Sequence, residues 1–468
     1  MSQPGSQDNP LRVAIIGAGP AGFYTAERLY KEKNLRVQID MFDRLPTPFG
    51  LVRAGVAPDH QKIKSVTKVF ERVAAKPGFR FFGNVEIGQD VSVAELRDYY
   101  HQIVYTTGAQ TDRSLNIPGI DLVGSHAATE FVAWYNGHPD YRDCQFDLSQ
   151  ENVVVIGVGN VAVDVARILC RTPEELAETD IADYALEALR HSQVKTVTML
   201  GRRGPAQAAF SPVEAKELGE MPGADVVVLP EEAELDELSQ ASLAEADRGT
   251  MRNVEIVQEF AERPLTGKPR QLVLRFMVSP LELLGDEQGQ VIGLRVVKTE
   301  LYRTEAGSLR SRNTDKMEVL TTGLVFRSIG YRGVPLPQVP FNESWGVILN
   351  EGGRVIDAEG QRPLIGEYTA GWIKRGPSGV IGTNKPDAAE TVERMLEDLA
   401  AGATLQPKHP DAAAFAAFIS ERQPQYVSFA DWQKLDALEI AKGEPQGRPR
   451  VKFVTVAEML EALGKGSR

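Results

Sequence analysis

One stretch decides the fold of this chain: VAIIGAGPAG at residues 13–22. Its four apolar residues predict a buried strand, and glycines with the spacing G-x-G-x-x-G follow before a helical pattern. Gly17 permits a tight turn, Gly19 lets a pyrophosphate approach the backbone, and Gly22 allows the helix to pack closely on the strand. The free N–H groups at the helix start favour anionic phosphates. The stretch therefore predicts a dinucleotide-binding unit.

A second stretch of the same kind is VVVIGVGNVA at residues 153–162, with Ala162 at the position of the third glycine. It also lies between an apolar strand pattern and a helical pattern, which is the context that such a fingerprint requires. One match would be weak evidence, but two matches in context predict two dinucleotides held by two domains. Electron transfer from a nicotinamide to a flavin requires this arrangement.

The residues at the following strand end distinguish the two units. Asp43 follows Gly22 by 21 residues, where a carboxylate accepts hydrogen bonds from the ribose hydroxyls and repels a 2′-phosphate. The first unit is therefore predicted to bind FAD or NAD. The second unit has Arg202 and Arg203 instead, and two guanidiniums favour the 2′-phosphate of NADP. The alternatives are a solvent-facing strand end and two ordinary surface charges.

The composition excludes several other classes of protein. The chain has 468 residues and a net charge of −12, which disfavours nucleic acid as its main partner. Its two cysteines, Cys144 and Cys170, form no CxxC pair, so we expect no disulfide, no metal and no iron–sulfur site, and a cytoplasmic location. No apolar run reaches the roughly 18 residues of a transmembrane segment. Residues 1–10 have no signal-peptide pattern and are expected to form a disordered lead-in.

The remaining pattern places the segments between and beyond the two fingerprints. We expect a helix over 61–75, a chain crossing after the strand at 103–109, strands from about 253 to 330, and a return crossing at 330–333. A further strand at 368–372 precedes a helix over 386–399. The acidic stretch 231–247 is expected to be a solvated helical face or a loop.

Three longer strings carry a family resemblance: PFGLVRAGVAPDH at 48–60, GRRGP at 201–205 and GWIKRGPSGVIGTNK at 371–385. With the fingerprints, they resemble the adrenodoxin-reductase-like ferredoxin–NADP reductases, particularly the bacterial members, from Arg12 to about Phe453. The resemblance implies an α/β fold of two three-layer, Rossmann-like dinucleotide-binding domains. The NADP domain, 111–331, would be inserted into a discontinuous FAD domain made of 1–110 and 332–468, the latter including C-terminal helices.

The resemblance also implies the activity. A hydride would pass from NADPH to FAD, and single electrons would then pass to a ferredoxin-type iron–sulfur protein. One alternative is an NADPH-dependent flavin or quinone reductase, that is, a diaphorase. Another is an electron-transfer flavoprotein subunit of a larger complex, although such relatives usually carry cysteine clusters that this chain lacks. A monomer or a weak dimer is expected.

Candidate site residues follow from the matched positions. His60, Asp164 and Glu214 would lie near the nicotinamide as candidate catalytic residues, with His60 and Glu214 tuning the flavin or exchanging a proton. Asp164 is equally compatible with a structural hydrogen-bond role. Lys374 and Arg375 are candidates for ferredoxin docking. The predicted cofactor-binding residues are Gly17, Gly19, Pro20, Ala21, Gly22, Asp43, Arg44, Gly50, Leu51, Arg113, Gly157, Gly159, Asn160, Val161, Ala162, Arg202, Arg203, Glu214, Trp372, Gly379, Val380 and Ile381.

Overall fold

The computed structural model describes residues 3–466. Its strands, in chain order, are β1 Leu11–Ile16, β2 Val37–Asp43, β3 Phe79–Gly83, β4 Gln102–Tyr105, β5 Thr111–Asp112, β6 Ser125–Ala127, β7 Asn152–Ile156, β8 Thr196–Gly201, β9 Ala224–Val228, β10 Arg270–Phe276, β11 Val278–Gly285, β12 Val291–Arg303, β13 Leu309–Thr321, β14 Leu324–Arg327, β15 Tyr331–Arg332, β16 Phe341–Asn342, β17 Val347–Ile348, β18 Asn350–Glu351, β19 Arg354–Ile356 and β20 Pro363–Thr369. Its helices are α1 Pro20–Tyr30, α2 Leu51–Ala54, α3 Gln61–Lys64, α4 Thr67–Ala74, α5 Val93–Arg97, α6 Ala128–Tyr135, α7 Asn160–Cys170, α8 Pro173–Ala177, α9 Asp183–Arg190, α10 Pro212–Leu218, α11 Pro230–Ala233, α12 Glu237–Leu243, α13 Arg248–Glu262, α14 Trp372–Arg375, α15 Asn384–Ala400, α16 Ala412–Arg422, α17 Phe429–Gly443 and α18 Val456–Ala462.

The first sheet combines the two ends of the chain. Its order is β18-β19-β20-β4-β1-β2-β3, with β20 pairing parallel to β4 and β4 parallel to β1. Successive residues of β1 point to opposite faces, so Val13 and Ile15 join one hydrophobic core while Ala14 and Ile16 join another. Helices α1, α4, α15 and α17 contribute to the first core, and α5 and α16 to the second. This unit has three layers, with helices on both faces of the sheet.

The second sheet is formed by the middle of the chain. Its order is β6-β14-β7-β8-β10-β9, and all of its pairings are parallel. One face packs against helices that include α6, α7, α9, α10 and α13. The other face packs against a separate antiparallel sheet, β11-β12-β13, through residues such as Val154 and Leu294. The predicted α/β class with two dinucleotide-binding units is confirmed, and the third layer of the second unit is a sheet.

The chain passes between the two sheets twice at the same place. Strand β5, on the outward path, pairs antiparallel with β15, on the return path. The N–H groups of Gln110 and Arg113 donate to the carbonyl oxygens of Arg332 and Gly330, each at 3.0 Å. The second sheet therefore lies between two parts of the first in the sequence, and a two-stranded ribbon joins the units.

The tight turns after β1 and β7 both depend on glycine. Gly17 has φ +106° and Gly157 has φ +136°, which residues with a side chain rarely adopt. A Cβ atom on Gly17 would lie 2.5 Å from the carbonyl oxygen of Thr106, and one on Gly157 would lie 2.2 Å from that of Ser328. A substitution at either position would therefore displace the turn that starts the following helix.

The prediction of one continuous helix over 61–75 is wrong. The structure has two helices, α3 and α4, with Ser65 and Val66 between them. The Ser65 hydroxyl donates to the carbonyl oxygen of Lys62 at 2.6 Å. Such a local side-chain bond competes with the helical pattern of the backbone, which accounts for the interruption.

The expectations for 231–262 also need correction. Residues 253–262 belong to the end of α13, whose buried face includes Val254, Val257 and Phe260 at helical spacing. In the acidic stretch, Glu232 is buried, and Arg275 donates to it from both Nε and Nη2. The acidic stretch therefore packs partly against β10 inside the fold, because the charge of Glu232 is neutralised there by Arg275.

The start of the chain is more ordered than expected over the residues that the structure describes. The Gly5 N–H donates to the carbonyl oxygen of Asn9 at 2.7 Å, and the Arg36 N–H donates to that of Gly5 at 2.8 Å. Residues 3–10 are thus attached to the segment before β2, while residues 1 and 2 lie outside the described range.

Candidate functional site

A cavity of about 390 Å³ opens at the carboxyl ends of β1 and β2, beside the first fingerprint. This is the edge of an open α/β sheet where nucleotides bind. The mainly apolar lining suits a flat aromatic ring system, and Tyr331 is a lining residue that the sequence did not suggest. Of the predicted cofactor residues, the cavity is lined by Gly17, Gly19, Pro20, Ala21, Asp43, Arg44, Gly50, Leu51, Trp372 and Ile381.

Asp43, the last residue of β2, is held by the backbone of the turn. Its carboxylate oxygens accept hydrogen bonds from the N–H groups of Ala18 and Leu45, each at 3.0 Å. Burial raises the pKa of Asp43, while these two hydrogen bonds act in the opposite direction. Each carboxylate oxygen has two lone-pair directions, so the side chain retains acceptor capacity toward the cavity. Arg44 also faces the cavity and pairs with Asp140 at 2.5 Å.

The backbone beside the first fingerprint leaves room for a phosphate. A Cβ atom on Gly19 would meet nothing within 4 Å, whereas one on Gly22 would lie 2.4 Å from the carbonyl oxygen of Gly17. Gly19 is thus open toward a ligand, and Gly22 is at the contact between α1 and the strand. Thr107 lines the cavity, and its buried hydroxyl has no hydrogen-bond partner within residues 3–466. A buried polar atom without a partner is costly, so this hydroxyl fits a bound group.

The loop after β20 closes the same cavity. The strand expected at 368–372 ends earlier, at Thr369, because Gly371 has φ +81° and turns the chain into α14. Trp372 therefore starts a helix, and its ring centroid lies 5.6 Å from that of Tyr331. Gly379 and Val380 are exposed and lie next to Ile381 in sequence, but they are not among the cavity lining.

The second fingerprint has the same open geometry. A Cβ atom on Gly159 would meet nothing within 4 Å, and α7 begins at Asn160. The Asn160 side-chain oxygen accepts the N–H of Ser211 at 2.8 Å, which joins the loop before α10 to the helix start. Val161 is half-buried, and Ala162 is fully buried in the core. The start of α7 thus presents free N–H groups to an anion.

Arg202 and Arg203 follow β8 at the same edge of the second sheet. Arg202 is exposed and Arg203 is half-buried. In the described part of the chain, neither guanidinium forms an ion pair or a side-chain hydrogen bond. Burial and the neighbouring charge of Arg202 lower the pKa of Arg203. Two adjacent cations without an acidic partner form a suitable site for a doubly charged anion.

The two units meet at a buried arginine, Arg167 of α7. Its side chain is fully buried, and Nη1 donates to Glu217 at 2.7 Å and to Glu214 at 3.2 Å. Nη2 donates to Asp164 at 2.7 Å and to Asp59 at 3.1 Å. Asp59 precedes α3 of the first unit, whereas the other three carboxylates belong to the second. Arg167 therefore neutralises carboxylates of both units at their contact.

His60 lies against this arginine. Its Nε2 is 2.9 Å from Glu217 and 3.8 Å from Glu214, and its Nδ1 is 3.8 Å from Asp164. The structure thus brings together all three predicted catalytic residues. The ligand atoms of His60, Glu214 and Glu217 lie within 4.8 Å of one another, as in a metal site. However, the guanidinium of Arg167 already occupies the space between the two carboxylates, and its charge would repel a cation.

The carboxylates around Arg167 differ in their pKa values. Burial raises the pKa of Asp164 to about 7, with the nearby Glu214 adding to the rise and Arg167 opposing it. Asp59 is also buried, yet Arg167 and Arg171 together hold its pKa below the usual range. Within one cluster, the surroundings therefore favour the ionised form of Asp59 and the protonated form of Asp164.

Three members of this cluster are not predicted from the sequence. Asp59 lies within the string 48–60 without a predicted role, and no motif includes Arg167 or Glu217. Helical spacing could have found both: Arg167 is three residues after Asp164, and Glu217 is three residues after Glu214, so each pair shares a helix face. The contact with His60 depends on tertiary packing that spacing does not reveal.

Three other predicted residues lie away from the two nucleotide edges or are already engaged. Arg113 is exposed on the joining ribbon, with its Nε 3.4 Å from the carbonyl oxygen of Tyr331. Lys374 is buried and pairs with Asp387 at 3.2 Å, so it cannot form a docking surface. Arg375 donates to the carbonyl oxygen of Ser378 at 2.7 Å, within its own loop.

Within residues 3–466, no helix has both the length and the apolar character to cross a membrane.

Residues 11–203 match the sequence profile of the pyridine nucleotide-disulphide oxidoreductases. The chain is 47% identical to the NADPH-ferredoxin reductase FprA of Mycobacterium leprae, over 97% of this chain and 98% of that protein. It is 43% identical to the mitochondrial NADPH:adrenodoxin oxidoreductase of Homo sapiens, over 98% of this chain and 93% of that protein. The solved structure of Mycobacterium tuberculosis FprA in complex with NADPH has a TM-score of 0.92 at 45% identity, covering 97% of this chain and 100% of that one. The chain belongs to the family of adrenodoxin-reductase-like ferredoxin–NADP reductases.

Proposed function

We infer that this chain is an FAD-dependent ferredoxin–NADP reductase, which takes a hydride from NADPH and passes single electrons to a ferredoxin-type iron–sulfur protein. A bound flavin supplies the chemistry, because it accepts two electrons together and releases them one at a time. The observation that carries the proposal is the contrast at the two strand ends. One carries a carboxylate beside an apolar cavity, and the other carries two cations that have no acidic partner among the described residues.

The residues of the first unit fit FAD. We propose that Gly17, Gly19 and the start of α1 bind its pyrophosphate and that Asp43 accepts hydrogen bonds from its ribose. The Thr107 hydroxyl has no hydrogen-bond partner among residues 3–466, and together with the ring of Trp372 it supports placement of the isoalloxazine in the cavity. A carboxylate at this strand end would repel an additional 2′-phosphate, so NADP is disfavoured here.

The residues of the second unit fit NADP(H). We propose that Gly157, Gly159 and the start of α7, from Asn160 to Ala162, bind its pyrophosphate. Arg202 and Arg203 would bind its 2′-phosphate. Charge-assisted hydrogen bonds to a phosphate are worth about 1.5–3 kcal/mol each, so two of them would produce a strong preference over NADH.

We propose that the cluster at the contact between the units controls charge and protonation near the reacting flavin and nicotinamide rings. Hydride transfer needs no acid or base, but neutral reduced flavin requires an added proton. His60 and Asp164 are suited to exchange that proton, since the pKa of Asp164 is about 7. Arg167 orients them by donating to Asp164 and lying 3.4 Å from Nδ1 of His60.

The domain limits, the oligomeric state and the location are further proposals. We propose an FAD domain of 1–110 and 332–468, with an NADP domain of 111–331, supported by the ribbon of β5 and β15 that lies at both limits. A monomer or a weak dimer is proposed, and sedimentation would test it. A cytoplasmic location is proposed because Cys144 and Cys170 are both free.

The decisive functional experiment compares electron acceptors. Purified holoprotein should use NADPH to reduce ferredoxins from the same source faster than quinones or dyes at matched concentrations. The Arg202→Ala/Arg203→Ala variant should lose ferredoxin reduction at low NADPH and recover it at high NADPH. Efficient reduction of quinones with no reduction of any ferredoxin would favour the diaphorase instead.

A further inference from the structure

The loop that carries the two arginines is held through its backbone by the antiparallel sheet β11-β12-β13. Thr299 of β12 donates from its hydroxyl to the carbonyl oxygen of Arg202 at 2.8 Å. Met277, between β10 and β11, donates its N–H to the carbonyl oxygen of Arg203 at 3.2 Å. Both backbone acceptors are therefore occupied, while both guanidiniums remain available to a ligand.

Met277 has an unusual backbone conformation at this point. Its φ is +57°, a left-handed conformation that is uncommon for a residue with a side chain. The conformation is held from both sides, because the Met277 N–H bonds to Arg203 and its carbonyl oxygen accepts the N–H of Thr299 at 2.7 Å. Strain of this kind persists where the surroundings fix it, and it is common in ligand-binding regions.

The other end of the loop is held by a side chain. The N–H of Gly204 donates to Oε1 of Gln207 at 3.2 Å. The Gln207 amide in turn donates to the hydroxyl of Ser239 at 3.3 Å, and Ser239 is completely buried. Ser239 also donates to Asp236 at 2.7 Å, so part of the acidic stretch anchors the loop.

We propose that Thr299, Met277 and Gln207 are positioning residues that set the preference for NADPH over NADH. They hold the backbone of Arg202 and Arg203 so that both guanidiniums reach one 2′-phosphate. Long side chains lose conformational freedom when they bind, and a fixed backbone reduces that cost. The inference rests on the proposed role of the two arginines and extends it to residues that act through the backbone of their loop.

The central test is Thr299→Val, which keeps the shape of the buried side chain and removes its donor. The probes are adenosine 2′,5′-bisphosphate and 5′-AMP, titrated calorimetrically into the holoprotein. Loss of one neutral hydrogen bond corresponds to about a two- to tenfold effect. We expect that loss of affinity for the bisphosphate, no change for 5′-AMP, and restoration by Thr299→Ser. In turnover, KM for NADPH should rise while kcat stays constant.

The chain offers a closely matched control. Thr314 of β13 donates from its hydroxyl to the carbonyl oxygen of Lys298, also at 2.8 Å, and among the described residues it forms no hydrogen bond with the arginine loop. Thr314→Val should leave both affinities unchanged. If Thr299→Val does not yield folded holoprotein, Gln207→Ala provides the test from a half-buried position. It should weaken bisphosphate binding in the same selective way.

The outcomes separate this inference from the proposed function. Equal bisphosphate affinity in native protein, Thr299→Val and Gln207→Ala would overturn it, as would an equal loss for bisphosphate and 5′-AMP. If Arg202→Ala/Arg203→Ala weakens bisphosphate binding while the positioning variants do not, this inference alone fails. If the arginine variant also has no effect, the assignment of the 2′-phosphate site fails as well.

Discussion

The two nucleotide-binding units begin with the same local structure and differ at the end of the next strand. Gly17 and Gly157 both have positive φ, and the helices that follow both start with open backbone N–H groups. However, β2 ends in a carboxylate that accepts hydrogen bonds from two backbone N–H groups. Strand β8 instead leads into two arginines whose backbone carbonyl oxygens accept hydrogen bonds from Thr299 and Met277. The glycines therefore indicate that a dinucleotide binds, and we propose that the charge at the strand end selects which one.

The units also differ in the layer behind the sheet. Helices cover both faces of the first sheet, whereas the antiparallel sheet covers one face of the second. In the second unit this layer reaches the ligand edge, where Thr299 contacts the loop of Arg202. The two units thus support their strand ends in different ways, although their fingerprints look alike in sequence.

The largest expected effect concerns the selection of the nucleotide by the second unit. Arg202→Ala/Arg203→Ala removes the two guanidiniums that we propose bind the 2′-phosphate, through charge-assisted contacts worth about 1.5–3 kcal/mol each. We expect kcat/KM for NADPH to fall about 100-fold or more, with kcat/KM for NADH nearly unchanged. Steady-state kinetics with both nucleotides measures this. An unaltered ratio between the two would show that the arginines do not select the nucleotide.

The next effect concerns the binding of FAD by the first unit. Asp43→Asn keeps one acceptor oxygen but removes the negative charge from the predicted ribose site. Because a hydrogen bond to a charged group is worth about 1.5–3 kcal/mol, FAD should bind about 10- to 100-fold more weakly. Fluorescence of released flavin at equilibrium gives the affinity. The exposed Asp121→Asn is the control, and equal FAD retention in both variants would refute the role of Asp43.

A third effect concerns stability and the contact between the units. The folded-state pKa of Asp164 is about 7, above the ordinary value of 3.8. The native state therefore keeps a proton that the unfolded state releases, and this contribution to stability is lost as pH rises from about 4 to about 7. At about 1.4 kcal/mol per pKa unit, Asp164→Asn should reduce the fall in unfolding free energy over that window by about 2–4 kcal/mol.

Chemical denaturation at about pH 4.5 and about pH 8 measures the Asp164 effect. Asp121→Asn again serves as the control because its side chain is exposed. The same pH dependence in native protein and Asp164→Asn would mean that Arg167 keeps Asp164 ionised throughout, as the distance of 2.7 Å between Asp164 and Nη2 of Arg167 would allow.

The smallest expected effect concerns a residue that should not influence the choice between NADPH and NADH. Ala162 stands where the first fingerprint has Gly22. Ala162→Gly should destabilise the protein by about 1 kcal/mol or less, because glycine is unfavourable within a helix. The ratio of KM values for NADPH and NADH should stay constant. A changed ratio would show that this helix position, and not only the strand end, contributes to selection.

The sequence was sufficient for the parts of the fold that depend on local pattern. Strand, turn and helix at 13–22 and at 153–162 follow from apolar runs and glycine spacing, and the cofactor types follow from Asp43, Arg202 and Arg203. The family strings gave the nested order of the two units. Helix ends were less predictable: the helix expected over 61–75 is broken where Ser65 bonds to a backbone carbonyl.

The sequence was insufficient where a residue's role depends on long-range packing. Arg167 looks like an ordinary helical arginine, yet it joins Asp59 to three carboxylates of its own unit. Lys374 looks like a docking cation because it follows Trp372, yet it is buried against Asp387. The support that Thr299 gives to Arg202 joins residues 97 positions apart. Neither spacing nor composition carries that information.

Anaerobic titration of the purified holoprotein with NADPH and, separately, with NADH tests both nucleotide assignments most directly. We expect a yellow protein whose flavin absorbance is bleached by one equivalent of NADPH and far more slowly by NADH at the same concentration. A protein that binds no flavin would contradict the assignment of the first unit. Equal rates of bleaching with the two nucleotides would contradict the assignment of the second.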